Sequence, residues 1–233
     1  TGLTLSYKDI FSMLFLSAGV SYSHHRSEAI SSLKIEPPLT VVERLPLPHS
    51  GQSYSANARF SKGYDWISLS VSGDAALGQS EGKSYLEGKL LGYTSQWASA
   101  SGRCSLKPLS WLTMEYNVAW GLHRSRLENR SWLTPIQSLS HKVISHVNVL
   151  EDVAIKLTAE HYYNDAVTQG RHFTLADLGL AYTWKKVRLT LDWTNILGAR
   201  LYSSGTLSDL VASHNYYDIR PSAIMLKARL KLF

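Results

Sequence analysis

From Ile224 to its end the chain sorts its residues by parity. Ile224, Leu226, Ala228, Leu230 and Leu232 take the even positions, and Met225, Lys227, Arg229 and Lys231 the odd ones. Alternate side chains of a strand point to opposite faces, so the segment makes one wholly apolar face and one largely cationic face. A soluble sandwich can carry one such strand at its surface. A chain that repeats the pattern in most of its segments is better explained by lipid on one side of a sheet and water on the other.

The pattern does repeat. Leu112, Met114, Tyr116, Val118, Trp120 and Leu122 alternate with Thr113, Glu115, Asn117, Ala119, Gly121 and His123. Ile67, Leu69 and Val71 alternate with serines, and Val187, Leu189, Leu191 and Trp193 with Arg188, Thr190, Asp192 and Thr194. Val153, Ile155 and Leu157 are set against Lys156, Thr158 and Glu160. Strands are expected at 2–8, 13–24, 52–62, 65–77, 86–105, 110–123, 136–149, 152–163, 173–184, 187–195 and 217–232, about eleven in all. The stretches 86–105 and 136–149 alternate poorly and are assigned mainly from their neighbours.

The connections alternate as well. Short links of roughly two to five residues are expected near Asp9–Ser12, Lys62–Tyr64, Lys107–Ser110, Leu150–Asp152 and Lys185–Lys186, with longer ones at 24–52, 78–85, 124–135, 164–172 and 196–217. Outer-membrane barrels keep tight turns at the periplasmic end and long loops outside. The expectation is therefore an all-β, antiparallel transmembrane β-barrel segment spanning 1–233.

Composition agrees without deciding. Mean hydropathy is −0.13, as a barrel allows, because only every second strand residue meets lipid. Seven Trp and thirteen Tyr suggest two aromatic girdles at the headgroup levels. Tyr7, Phe60, Tyr64, Trp66, Trp111 and Trp184 form one, and Tyr22, Tyr54, Trp120, Tyr162 and Tyr163 the other. A single cysteine, Cys104, excludes an internal disulfide. The net charge of +6 comes from scattered Lys and Arg with no basic helix, which argues against nucleic acid. Lys156, Arg188, Lys227, Arg229 and Lys231 are expected to line a lumen, paired with plug carboxylates or drawing anionic solutes.

The stretch Leu189–Tyr202, LTLDWTNILGARLY, resembles the penultimate strand of TonB-dependent outer-membrane receptors, with its Asn-aliphatic step before a loop. The end, YYDIRPSAIMLKARLKLF from Tyr216, is similar to the final strand of the nutrient-uptake receptors of Bacteroidetes, through Tyr217, Arg220 and Pro221. The firm match covers about 45 residues, with Phe233 one position beyond the parity of the family's terminal aromatic. The resemblance implies half of a barrel of about 22 strands closed by a plug, located in the outer membrane of a Gram-negative bacterium and importing a nutrient. Its implied partners are outer-membrane lipid, a missing N-terminal barrel and plug segment, TonB through that region, a surface lipoprotein at the mouth, and the barrel assembly machinery through the last strand.

No catalytic signature appears: there is no nucleophile elbow, zincin motif or phosphate loop. No enzyme activity, catalytic residue, cofactor, metal or committed substrate site is expected. His24–His25 lies near Glu28, His214 near Asp209 and Asp218, and His141 and His146 fall on opposite strand faces. Glu151–Asp152 reads as a solvated turn. His161, Asp165 and Ser140 are rim residues that nothing in their spacing unites. The proline-rich loop 27–50, with Leu45 and Leu47, is a candidate docking element, and Tyr202, Leu207, Leu210, Val211, Tyr216 and Tyr217 are candidate solute contacts. A complete small barrel (porin, adhesin or rim enzyme) and a structural barrel segment without transport remain alternatives.

Overall fold

A computed structural model describes residues 1–36, 39–86, 88–208 and 211–230. Its strands are β1 (Gly2–Asp9), β2 (Leu14–Ser27), β3 (Ile30–Glu36), β4 (Leu39–Leu45), β5 (His49–Tyr64), β6 (Leu69–Leu86), β7 (Lys89–Leu109), β8 (Leu112–Leu127), β9 (Ile136–Leu150), β10 (Val153–Asn164), β11 (His172–Trp184), β12 (Val187–Thr194), β13 (Leu201–Ser208), β14 (Val211–Asp218) and β15 (Ala223–Leu230). Eleven of them form one sheet in the order β1-β2-β5-β6-β7-β8-β9-β10-β11-β12-β15, and every neighbouring pair is antiparallel. The sheet is open: among the described residues β1 pairs only with β2, and β15 only with β12.

Directly opposed residues share a face, so the register carries strand parity from strand to strand, apart from shifts at Leu106/Leu109 and Val153/Ala154. One row reads Tyr64, Leu69, Leu106, Met114, Ser145, Leu157, Leu178, Trp193 and Ile224. The next reads Leu112, Val147, Ile155, Leu180, Leu191 and Leu226. On the other face a row runs Ser6, Ser17, Arg59, Asp74, Ser101, Ala119, Ser140 and Tyr162. The alternation seen strand by strand thus adds up to one apolar and one polar face.

That apolar face has no interior to enter. Among the described residues the only buried apolar side chains are Ile30, Val167 and Phe173, whereas Leu5 is 67% and Leu226 71% exposed. Ile67 and Val118 are half-buried, and Leu189 is exposed. A soluble domain buries such a face against a second layer.

The expected short links hold in kind. Asp9 closes the first by accepting from the Phe11 N–H at 3.0 Å and the Ser12 hydroxyl at 2.5 Å, an Asx-turn. The Ser12 hydrogen bond leads the effects that hold the Asp9 carboxyl below its ordinary 3.8. The second link falls at 65–68, with a 3₁₀ turn at Asp65–Ile67, rather than at Lys62–Tyr64.

Three further expectations are corrected. Residues 78–85 are strand rather than loop, because β6 and β7 continue as one long polar hairpin. Aromatic rings cover its glycines: a Cβ at Gly78 would lie 2.7 Å from the Trp97 ring, and one at Gly82 2.9 Å from the Tyr93 hydroxyl. Trp97, which spoils the alternation of its segment, is thereby explained. The links 24–52 and 196–217 contain hairpins, β3–β4 and β13–β14. The last strand begins at Ala223, since 217–218 belong to β14 and Pro221 brings no N–H to a ladder. Pro37, Pro38, Asp209, Leu210, Lys231, Leu232 and Phe233 lie outside the described residues.

Candidate functional site

The polar face carries three cross-strand ion pairs among the described residues. Arg59 meets Asp74 at 3.0 Å, Lys142 meets Glu160 at 2.5 Å, and Lys227 meets Asp192 at 2.7 Å. Tyr162 donates its hydroxyl to the second Glu160 oxygen at 2.6 Å, and Arg103 donates to Asn117 at 2.7 Å. Lys156, Arg188 and Arg229 share this face and make no ion pair among the described residues. Arg188 and Arg229 stand directly opposite one another, a repulsive arrangement for a bare sheet.

At the long-link end of this face the β13–β14 hairpin folds back onto the β10–β11 connection. Ser203 donates to the carbonyls of Gln169 and Gly170 at 2.9 and 3.0 Å, and the Asn164 amide donates to the Gly205 carbonyl at 2.9 Å. Beneath this contact Val167 is fully buried and Phe173 nearly so. Tyr202 meets Tyr162 at 5.9 Å and Phe173 at 5.3 Å, both edge-on, and stacks on Tyr217 at 6.1 Å. The register puts Tyr162 opposite Ser140 and Phe173, so it faces the polar side and leaves the proposed outer girdle. Tyr22, Tyr54, Trp120 and Tyr163 have the apolar parity.

Two cavities adjoin at this cluster. One, about 290 Å³, is lined by Ser138, Tyr162, Asn164, Phe173, Tyr202 and Ser203 among others. The other, about 470 Å³, runs down the sheet past Lys142, Asn117, Arg103 and Asp74, and Ser140 and Tyr162 border both. Aromatic walls interleaved with hydroxyl and amide groups suit a polar, hydroxyl-bearing solute. Alternation alone marks both Tyr162 and Phe173 as strand residues. The fold-back of residues far along the chain makes them a site.

Asn195 anchors the hairpin to the sheet. Its φ is 51°, which Asn tolerates, and it is 4% exposed. Its side-chain amide donates to the Ala199 and Arg220 carbonyls at 2.7 and 2.9 Å, its side-chain oxygen accepts from the Ala199 N–H at 2.9 Å, and its own N–H donates to Asp177 at 2.7 Å. The Asn-Ile step therefore sets both ends of the excursion before β15.

The other named residues do not converge. Ser140 lies on the polar face, His161 on the apolar one, and the Asp165 carboxylate accepts from the Gln137 N–H at 2.5 Å. Glu28 pairs with Arg26 at 3.4 Å. His214 lies opposite Gly205 and Asp218 opposite Leu201, so they sit at separate levels. His141 and His146 do fall on opposite faces. A ladder not apparent in the sequence crosses the apolar face instead. The Tyr116 hydroxyl and His141 are 2.6 Å apart, His141 stacks on His161 at 6.0 Å, and His161 approaches His172 at 3.3 Å. Among the described residues no group of three potential ligands is placed to hold a metal.

No protein-family model matches the chain, and no curated protein sequence matches it.

Proposed function

We propose that residues 1–233 form the wall of an outer-membrane β-barrel in a Gram-negative bacterium, the C-terminal half of a TonB-dependent receptor that imports a glycan, peptide or chelate. The observation that carries the reading is the apolar face that runs from strand to strand with, among the described residues, no second layer over it. Each Å² of apolar surface left in water forgoes about 25 cal/mol, and a hydrocarbon phase restores that gain. The polar face, with its paired charges, suits a wetted lumen.

The open edges fit a wall completed by further strands. Unpaired backbone groups in hydrocarbon cost several kcal/mol each, so β1 and β15 need neighbours, which an N-terminal barrel half supplies. A plug carboxylate would relieve the opposed Arg188 and Arg229. The aromatic cavity around Tyr162 and Tyr202 would receive the solute, and the β3–β4 hairpin with Leu45 and Leu47 would meet a surface lipoprotein. TonB would act through the N-terminal region, and the assembly machinery through the last strand.

The same open edges also favour a second reading, a wall completed by another chain in a complex that transports nothing. A deletion strain distinguishes the two. Under the transport reading it loses growth on one nutrient class, and the wild type loses that growth when the inner membrane is de-energised. Unaltered growth on every nutrient, with the chain in the outer-membrane fraction, would leave the structural reading in its place.

A further inference from the structure

The apolar face is interrupted near its long-link end by a polar ladder that the transport reading does not use. Above the apolar row Ala56, Leu77, Ala98 and Leu122, the next outward row is Tyr54, Gln79, Gln96 and Arg124, and the one above it Gln52, Glu81, Thr94 and Arg126. Their side chains bond across four strands. Arg124 Nε donates to Gln96 at 2.9 Å, Gln96 donates to Gln79 at 2.6 Å, and Gln79 donates to Glu81 at 2.8 Å. Gln52 donates to the other Glu81 oxygen at 2.7 Å. Both oxygens of the one carboxylate are thus occupied, two strands away from Arg126.

At the other end of the ladder stand two guanidinium groups, Arg126 beside a cavity that Glu81, Glu128 and Arg130 also line. Arg124 and Arg126 lie 4.5 and 4.8 Å from the Trp132 ring, and neither makes an ion pair among the described residues. The indole holds both cations by stacking while leaving guanidinium N–H groups free to donate.

Directly below, the small side chains of Ala56 and Ala98 leave a groove between Val20, Leu77 and Leu122. Its volume is about 920 Å³, with Arg124, Gln96 and Gln79 in its lining, within the roughly 300–1,000 Å³ of sites that hold small molecules. An apolar trough that ends on cations making no ion pair among the described residues has the polarity of one ligand class. We infer that this face binds an anionic, phosphate-bearing membrane lipid, its acyl chain in the Ala56–Ala98 groove and its phosphate at Arg124 and Arg126. The inference rests on the membrane reading above and adds a lipid site on the outward face, separate from the solute cavity.

The test uses the full-length protein extracted from membranes in mild detergent and mixed with vesicles of phosphatidylglycerol or of an uncharged diglycosyl diacylglycerol. Retained lipid is counted by native mass spectrometry. Wild type is expected to keep phosphatidylglycerol in preference, and inorganic phosphate alone should not displace it. R124Q/R126Q is expected to lose that preference by roughly tenfold or more while its weak retention of the neutral lipid stays unchanged. Ala98→Leu, which fills the groove, should lower retention of both lipids. Heat-modifiable gel migration checks that each variant is folded. Equal retention by wild type and both folded variants overturns the inference, as does displacement by inorganic phosphate. If the protein is in the outer membrane and the variants hold lipid as wild type does, the lipid site alone falls. If the protein is absent from the membrane, the site and the membrane reading fall together.

Discussion

Single side chains close this sheet at both ends. Asn195 satisfies three backbone groups with one amide while holding a left-handed backbone. Replacing it with Ala leaves those groups to find water in a site that is 4% exposed. Asn195→Ala is expected to cost about 2–3 kcal/mol, read as a lower midpoint in urea unfolding of the folded form; an unchanged midpoint would remove its anchoring role. At the turn end Asp9 works through charge. Its carboxyl is held below 3.8, first by the Ser12 hydrogen bond. A depressed folded pKa means its contribution is fully present above the unfolded value and is lost as pH falls through the lowered one. Hydrogen exchange at Phe11, corrected for intrinsic rates, should therefore lose protection only below pH 3.8. In Asp9→Asn that pH response should be absent, and a response that persists would contradict the assignment.

The elements divide by what stabilises them. The eleven sheet strands are joined pair by pair in antiparallel ladders, with register shifts at Val153/Ala154 and Leu106/Leu109, whereas β13–β14 is attached through Tyr202, Ser203 and Gly205. Tyr202→Ala should loosen the hairpin by roughly 1–3 kcal/mol, seen as faster exchange across 201–206 and 213–218 with β10 and β11 unaffected. Unchanged exchange would mean that the hydroxyl and amide contacts suffice. The strands that carry the apolar face are the ones alternation makes legible, because every second residue of each is apolar. Residues 78–85 escape that reading: Gly78, Gln79, Ser80, Glu81, Gly82, Lys83 and Ser84 have no apolar parity, and ring cover from Trp97 and Tyr93 decides their fate. The β3–β4 and β13–β14 hairpins escape it for a related reason, since each is a separate two-stranded ladder whose residues need not follow the parity of the main sheet. The aromatic cluster is the least legible part. Tyr162 and Tyr202 are 40 positions apart, and only the fold-back unites them.

At the scale of the whole molecule the question is what touches the apolar face. Among the described residues the sheet fully buries few of its apolar side chains and its two edge strands pair on one side only; under the proposed function the surroundings supply both apolar contact and further strands. β15 is the sharpest place to ask, because its neighbours differ only in parity. Single spin labels at each position from Ile224 to Leu230, with the full-length protein in lipid bilayers, would report collisions with oxygen and with a water-soluble nickel chelate. The account predicts a period of two: oxygen dominates at Ile224, Leu226, Ala228 and Leu230, and the chelate at Met225, Lys227 and Arg229. Equal chelate access at both parities, or protection of both from either reagent, would contradict it.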